Sequence, residues 1–229
     1  MQERISSGIE ILDQLLEGGY EKDSITTIYG PAGSGKTNTA IIAAISAINN
    51  GKKVIFIDTE GGFSIRRLDQ ICKDSKKILS NMIFFHPTTF EEQKKAVEKL
   101  TKINLNNIGI IIIDTIGMIY RLERKTTERD LNRELSEQIS CLTQISRKQN
   151  IPILLTNQVY TNFETRKNQM IGGEILKYAS KCLIEYDNLQ NNKKKAILQK
   201  HRSIIGEKEI IFEIYDKGLR KPSLFSQLL

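Results

Sequence analysis

The sequence predicts an α/β fold whose mostly parallel central sheet, flanked by helices, gains an antiparallel edge near the C-terminus. Three observations carry that prediction. Strand-like apolar runs alternate with helical patterns over the first two thirds of the chain. IGIIIID (108–114) is a near-continuous apolar run, the pattern of a strand covered on both faces in a parallel sheet. Beyond residue 180 the pattern changes to short strands joined by Asn-Asn and Gly turns, which read as hairpins.

Taken in order, GIEILDQLLEGG from Gly8 sets Ile11, Leu12, Leu15 and Leu16 on one helical face and stops at a glycine pair, a short entry helix. SITTIYG (24–30) alternates as a strand and passes through a glycine-rich turn into TNTAIIAAISAINNG, a helix ending at Asn50-Gly51. KKVIFIDTE is the second strand, expected beside the first, and MIFFHP the third. TFEEQKKAVEKLTKI reads as a surface helix opened by Thr88 or Thr89. Thr127 is expected to cap a long helix to about Gln149, where Leu131, Leu135, Ile139, Leu142 and Ile145 recur at helical spacing and read as core. IPILLTNQ is the next strand; KCLIEYD, NNKKKAILQKHR and EIIFEIYDKG form the antiparallel set.

With 229 residues and neither an internal repeat nor a low-complexity tract, one domain over residues 1–229 is expected. A domain of this size buries roughly 70% of its unfolded surface. Hydrophobic residues at 39% and charged residues at 27% are ordinary globular values. No apolar stretch is long enough to span a membrane and no cationic, apolar leader opens the chain, so a cytoplasmic location is expected. Cys72, Cys141 and Cys182 are odd in number and far apart, which argues against a disulfide framework or zinc site and makes them core hydrophobes. A formal charge of +7 favours a polyanionic partner, nucleic acid first, although richness in Lys, Ile and Asn also fits a skewed base composition.

GPAGSGKT comprises Gly30, Pro31, Ala32, Gly33, Ser34, Gly35, Lys36 and Thr37. It satisfies the Gly-x4-Gly-Lys-Ser/Thr phosphate-loop pattern and stands between a strand and a helix, as the mechanism requires. Glycines let backbone N–H groups curl round a β-phosphate while the helix N-terminus adds partial positive charge. Lys36 is expected to reach the β and γ phosphates of ATP. Thr37 and Asp114, which ends the apolar run, would hold Mg²⁺. Glu60, in FIDTEGG, stands where a carboxylate can polarise a water for attack on the γ-phosphate, or is an ordinary solubilising residue. Gln158, in LLTNQV, ends a strand at the same face of the sheet, where an amide either senses the γ-phosphate or is satisfied by a loop. The QKHRS stretch (199–203) reads from the residues alone as a charged strand edge.

In combination SSGIEILDQLLEGG, IYGPAGSGKT, VIFIDTEGGFS, IIIIDTIG, IPILLTNQV and QKHRSIIGE resemble the RecA-type recombinase core, most closely its archaeal RadB group, over residues 5 to about 215. The resemblance implies a RecA-like fold, with Glu60 and Gln158 as catalytic residues beside the ATP-binding loop and the Thr37–Asp114 magnesium pair. It also implies two segments that contact single-stranded DNA. One spans 116–130, with Tyr120, Arg121, Arg124, Lys125 and Arg129; the other spans 159–173, with Tyr160, Phe163, Arg166 and Lys167. Cations interleaved with aromatics suit neutralised phosphates and stacked bases. In assemblies of that group the strand corresponding to KHR brings cations to the neighbour's γ-phosphate. Alternation would put Lys200 and Arg202 on one face for that role and leave His201 to pack. Only seven residues precede Gly8, which implies that the separate N-terminal domain and filament hook of full-length recombinases are missing. The group's properties imply an ATP-binding accessory of DNA repair and recombination with weak ATPase activity, conditional self-association and little strand exchange. Its partners would be DNA, a RadA-type recombinase and a Holliday-junction resolvase. A filament-forming recombinase, or a KaiC-like signalling ATPase without DNA, is the alternative.

Overall fold

The computed structural model describes residues 3–124, 130–161 and 168–222. β1 (Arg4–Ile5), α1 (Glu10–Leu15) and β2 (Tyr20–Glu21) precede β3 (Ile25–Gly30) and α2 (Lys36–Asn49). Next come β4 (Lys53–Asp58), α3 (Ile65–Ile71), α4 (Ser75–Ser80), β5 (Met82–Phe85), α5 (Phe90–Leu100), β6 (Ile108–Asp114) and α6 (Met118–Glu123). They are followed by α7 (Leu131–Gln149), β7 (Ile153–Thr161), β8 (Asn168–Met170) and α8 (Gly173–Ala179). β9 (Cys182–Asn188), β10 (Lys193–His201), β11 (Lys208–Tyr215) and β12 (Gly218–Arg220) complete the described elements.

The main sheet runs β12-β11-β10-β9-β3-β7-β6-β4-β5, with β8 hanging from β7 as a hairpin. From β5 to β9 every neighbour is parallel; from β9 to β12 every neighbour is antiparallel. The expected mixed sheet is therefore present. One placement is corrected. β4 does not lie beside the phosphate-loop strand β3, because β7 and β6, later in the chain, insert between them. Helical crossovers allow such insertion, so chain order does not fix spatial order in an open α/β sheet.

Alternation along β6 explains its apolar run. Ile110 and Ile112 enter the core shared with α1, α2, α3 and α4, while Ile111 and Ile113 enter the core shared with α5, α6, α7 and α8. All four are fully buried, each such side chain contributing about 1.5–3 kcal/mol. Cys182 is core, and Cys72 and Cys141 pack half-buried against one core each.

Helix boundaries follow local chemistry. Thr89, one of the two expected caps, accepts from Glu92 N at 3.1 Å, and Glu92 in turn accepts from Thr88 N at 2.7 Å. The long helix opens on Asp130, whose carboxylate accepts from Arg133 N at 3.1 Å; the expected cap Thr127 lies outside the described residues. Asn191 and Asn192, with φ of 56° and 59°, make the Asn-Asn turn between β9 and β10. The start of the 116–130 segment is helical as α6, because Ile119 and Tyr120 bury against the α5–α7 core. Among the described residues no helix is long and apolar enough to cross a membrane.

Candidate nucleotide site and adjoining basic cleft

The phosphate loop leaves the C-terminal end of β3 and enters α2 through Gly35, whose φ of 101° is one that side-chain-bearing residues avoid. α2 presses on the sheet with small side chains, Ala40, Ala43, Ala44 and Ala47, which lets its N-terminus stand close to the strand end. Lys36 is 7% exposed, and its Nζ donates to Gly30 O at 2.9 Å and Pro31 O at 2.7 Å. Burial pulls its ammonium below the usual lysine range, opposed by the Asp114 and Glu60 carboxylates. The lysine is thus held within the loop by two carbonyls that a phosphate oxygen would replace.

Asp114, at the end of β6, is buried. Thr156 Oγ1 donates to its Oδ1, while Oδ2 accepts no hydrogen bond of good geometry. Burial raises its carboxyl above the usual range, and the Thr156 and Thr37 hydroxyls counter this. A Cβ placed on Gly62 would stand 3.7 Å from Thr37 Oγ1 and 3.8 Å from Asp114 Oδ2, so both oxygens face one small space. A hydroxyl and an orphaned carboxylate oxygen are hard donors, a set that fits Mg²⁺.

Glu60 reaches this space although its strand is three places from β3. Asp58, the last residue of β4 and 3% exposed, accepts from Glu60 N at 3.2 Å, Gly62 N at 3.1 Å and Phe63 N at 3.0 Å. Those bonds curl the turn back over the sheet end. Asp58 is an addition to the residues expected from the sequence, although an Asp two residues before the candidate base is a visible turn signal. Gln158 pairs in register with Gly30, and its Nε2 donates to Glu60 Oε1 at 2.7 Å. The two residues expected to act on the γ-phosphate are in direct contact.

Segments expected to meet DNA leave the ends of β6 and β7, the same sheet edge as the phosphate loop. Between them lies a cleft of about 1340 Å³ lined by Arg121, Arg124, Arg133 and Tyr160, with Asp130 and Glu174 also on its wall. Arg121 and Arg124 are exposed; Tyr160 is 41% exposed, its hydroxyl donating to Gln169 Oε1 at 2.8 Å. Arg133 is a second addition, and nothing in its helical context distinguishes it. Lys125, Arg129, Phe163, Arg166 and Lys167 lie outside the described residues.

Tyr120 is corrected. It is 2% exposed, its ring packs 6.0 Å from Phe90, and its hydroxyl donates to Asn132 Oδ1 at 2.5 Å, so it cannot stack on a base. Tyr120→Ala is therefore expected to cost about 3–5 kcal/mol of folding stability, as aromatic truncations in cores do. Urea denaturation measures this; a surface tyrosine would shift it by less than about 0.5 kcal/mol.

The expected common face of Lys200 and Arg202 is also corrected. The β10–β9 register shifts between Leu198 and Lys200, and β10 ends at His201, so strict alternation does not continue. Lys200 Nζ donates to Lys177 O of α8 at 2.6 Å. Arg202 turns instead to Glu21 at 2.5 Å and Asp23 at 2.6 Å, two carboxylates that neutralise it within the chain. His201 packs, its side chain 1% exposed, with Nδ1 accepting from Ser203 N and Ile204 N.

A phosphate loop at the end of a parallel sheet, a buried Asp two strands away and a Glu–Gln pair between them, with antiparallel strands beyond, define a RecA-like P-loop protein. The Rad51 family model matches residues 2–222. The chain is 43% identical to the DNA repair and recombination protein RadB of Methanococcus maripaludis strain C7, covering 91% of this chain and 97% of that one. It is 40% identical to the RadB of Methanocaldococcus jannaschii over 91% and 98% of the two chains, and 38% identical to that of Methanobrevibacter smithii over 91% and 92%. Against the crystal structure of the RadB recombinase the TM-score is 0.84, with 33% identity and coverage of 96% of this chain and 100% of the other. The chain belongs to the Rad51 family and, within it, to the RadB proteins.

Proposed function

We propose that the protein is an ATP-binding accessory of DNA repair and homologous recombination that binds single-stranded DNA, hydrolyses ATP weakly and exchanges strands little by itself. The observation that carries this reading is the Gln158–Glu60 contact. It joins the nucleotide site to β7, the strand whose continuation forms one wall of the basic cleft. RadB membership supports the recombination role, and the family resemblance points to a RadA-type recombinase and a Holliday-junction resolvase as protein partners.

In this mechanism backbone amides of residues 32–37 cradle the β-phosphate, and Lys36 leaves the Gly30 and Pro31 carbonyls for the β and γ oxygens. Thr37 and Asp114 would hold Mg²⁺, which when bound supplies charge neutralisation at those oxygens. Glu60 takes a proton from the attacking water, while the Gln158 amide fixes the orientation of its carboxylate. Lys200, charged and unpaired with any carboxylate among the described residues, is the cation of the KHR strand suited to reach a second copy's γ-phosphate. Such a cation in trans is worth roughly 10³–10⁵ in rate, so an isolated subunit hydrolyses slowly.

Fluorescence anisotropy with a labelled oligonucleotide tests the DNA reading. With about four phosphates neutralised, the log-affinity slope against log salt is about −0.7 per phosphate, or an approximately 50-fold loss between about 50 and 200 mM salt. No binding at low salt would remove DNA from the function and leave a nucleotide-dependent protein-binding role.

A further inference from the structure

Three consecutive residues of β7 contact two carboxylates of the nucleotide site and the stems of both basic segments. Thr156 donates to Asp114, and its carbonyl accepts from Ile116 N at 3.1 Å. Gln158 donates to Glu60, and its carbonyl accepts from Ile171 N at 3.2 Å. Asn157, between them, faces neither carboxylate. It is fully buried, and its Nδ2 donates to Ile171 O at 2.7 Å. That bond fixes the amide orientation, because the reversed amide would set two oxygens against each other. Oδ1 is then a buried acceptor with no donor. It faces Gly117, where a Cβ would stand 2.5 Å from Asn157 Oδ1 and 3.0 Å from Ile171 Cγ2.

A buried acceptor without a partner is costly, and native structures keep few of them. A valine or leucine here would fill the space without that cost. What the amide adds is a hydrogen bond to Ile171 O together with close packing against Gly117. Gly117 precedes α6, the stem of the first basic segment, and Ile171 closes the β7–β8 hairpin, the stem of the second. The same side chain is one peptide from the residue that bonds Glu60. We infer that Asn157 is a positioning residue that holds the two stems, at Gly117 and Ile171, to each other and to Gln158, so that displacement of Gln158 by a nucleotide phosphate moves both stems together. Gly117 is the matching half of the contact, since only a residue without a side chain lets the stem lie against Oδ1. This inference rests on the proposed binding of ATP at the phosphate loop and of DNA in the cleft.

The test uses the full chain and measures single-stranded DNA affinity by anisotropy in the presence of ATP–Mg²⁺ and of ADP–Mg²⁺. The wild type is expected to show an affinity ratio of about 5- to 150-fold between the two nucleotide states, the range of ordinary coupling. In Asn157→Ala the ratio falls to within about twofold of unity, while ATP affinity stays within about threefold of wild type. A purely structural asparagine would instead weaken DNA binding equally in both states and leave the ratio intact. Gly117→Ala reaches the same contact from the other side and is expected to lose the ratio too. Should Asn157→Ala fail to fold, Gly117→Ala and nucleotide-dependent hydrogen exchange at the Ile171 amide decide the question. A folded variant of either kind that keeps the wild-type ratio overturns the inference and leaves the functional reading standing, as does a wild type that binds both ligands with a ratio near one. A wild type that binds ATP and no DNA overturns the functional reading itself, and the inference with it.

Discussion

Lys36→Ala is expected to weaken ATP binding by roughly 30-fold to several thousand-fold, with the fold retained. Removing one partner of a buried charge pair costs about 2–5 kcal/mol, and each 1.4 kcal/mol is tenfold in Kd. The position of the lysine is what makes so large an effect expected: it is 7% exposed and surrounded by carbonyls of its own loop, with no exposed face on which water would compensate its loss. The variant also deprives Gly30 O and Pro31 O of a donor, a folding cost of about 1–3 kcal/mol if neither finds water. Isothermal titration with ATP and Mg²⁺, alongside circular dichroism, separates the two effects. Wild-type affinity in a folded variant would mean that the nucleotide is held elsewhere.

Glu60→Gln is expected to lower ATP turnover by about 10²–10⁴-fold, the usual contribution of a general base, while leaving ATP affinity within a few-fold of wild type. The side chain is exposed, and glutamine preserves a carbonyl oxygen for the Gln158 Nε2–H, so little stability is at stake. The turn that carries it is held by three bonds to Asp58, none of which involves the Glu60 side chain. A loss of turnover therefore reports chemistry and not a displaced loop. A steady-state phosphate-release assay at saturating ATP measures it, and unchanged turnover would leave Glu60 with no catalytic part.

Both expectations concern residues that are legible in the amino-acid sequence, and for a physical reason. A phosphate loop is local: its glycines, lysine and hydroxyl act through backbone geometry within eight consecutive residues, and the strand before it and the helix after it announce themselves by period. The buried strand β6 is legible in the same way, since isoleucines facing two cores leave no polar alternation to hide it. Asp114 follows from its position at the end of that run.

Other features depend on contacts between distant segments, and these are not legible. Tyr120 has the sequence neighbourhood of a base-stacking residue, but the turn of α6 carries it onto Phe90 of α5 and into the core. Arg202 ends the run Lys200-His201-Arg202, yet two carboxylates near the N-terminus, Glu21 and Asp23, take it. No spacing rule relates residue 202 to residue 21. The small helices α3, α4 and α8 leave no clear pattern because each is six or seven residues long, too short for a helical period to repeat twice.

The sequence by itself determined the class of sheet, the phosphate-binding loop and the residue types available for phosphate chemistry, because all three follow from local backbone preference and the alternation of apolar side chains. Tertiary structure alone decided which of those residues meet. The insertion of β7 and β6 between β3 and β4 sets Gln158 beside Gly30 and brings it to Glu60, 98 positions away in the chain. It also leaves Asn157 buried between Gly117 and Ile171 with one oxygen unpaired. Strand order is settled by which apolar faces pack together over the whole domain, a global free-energy balance that no short stretch of sequence contains.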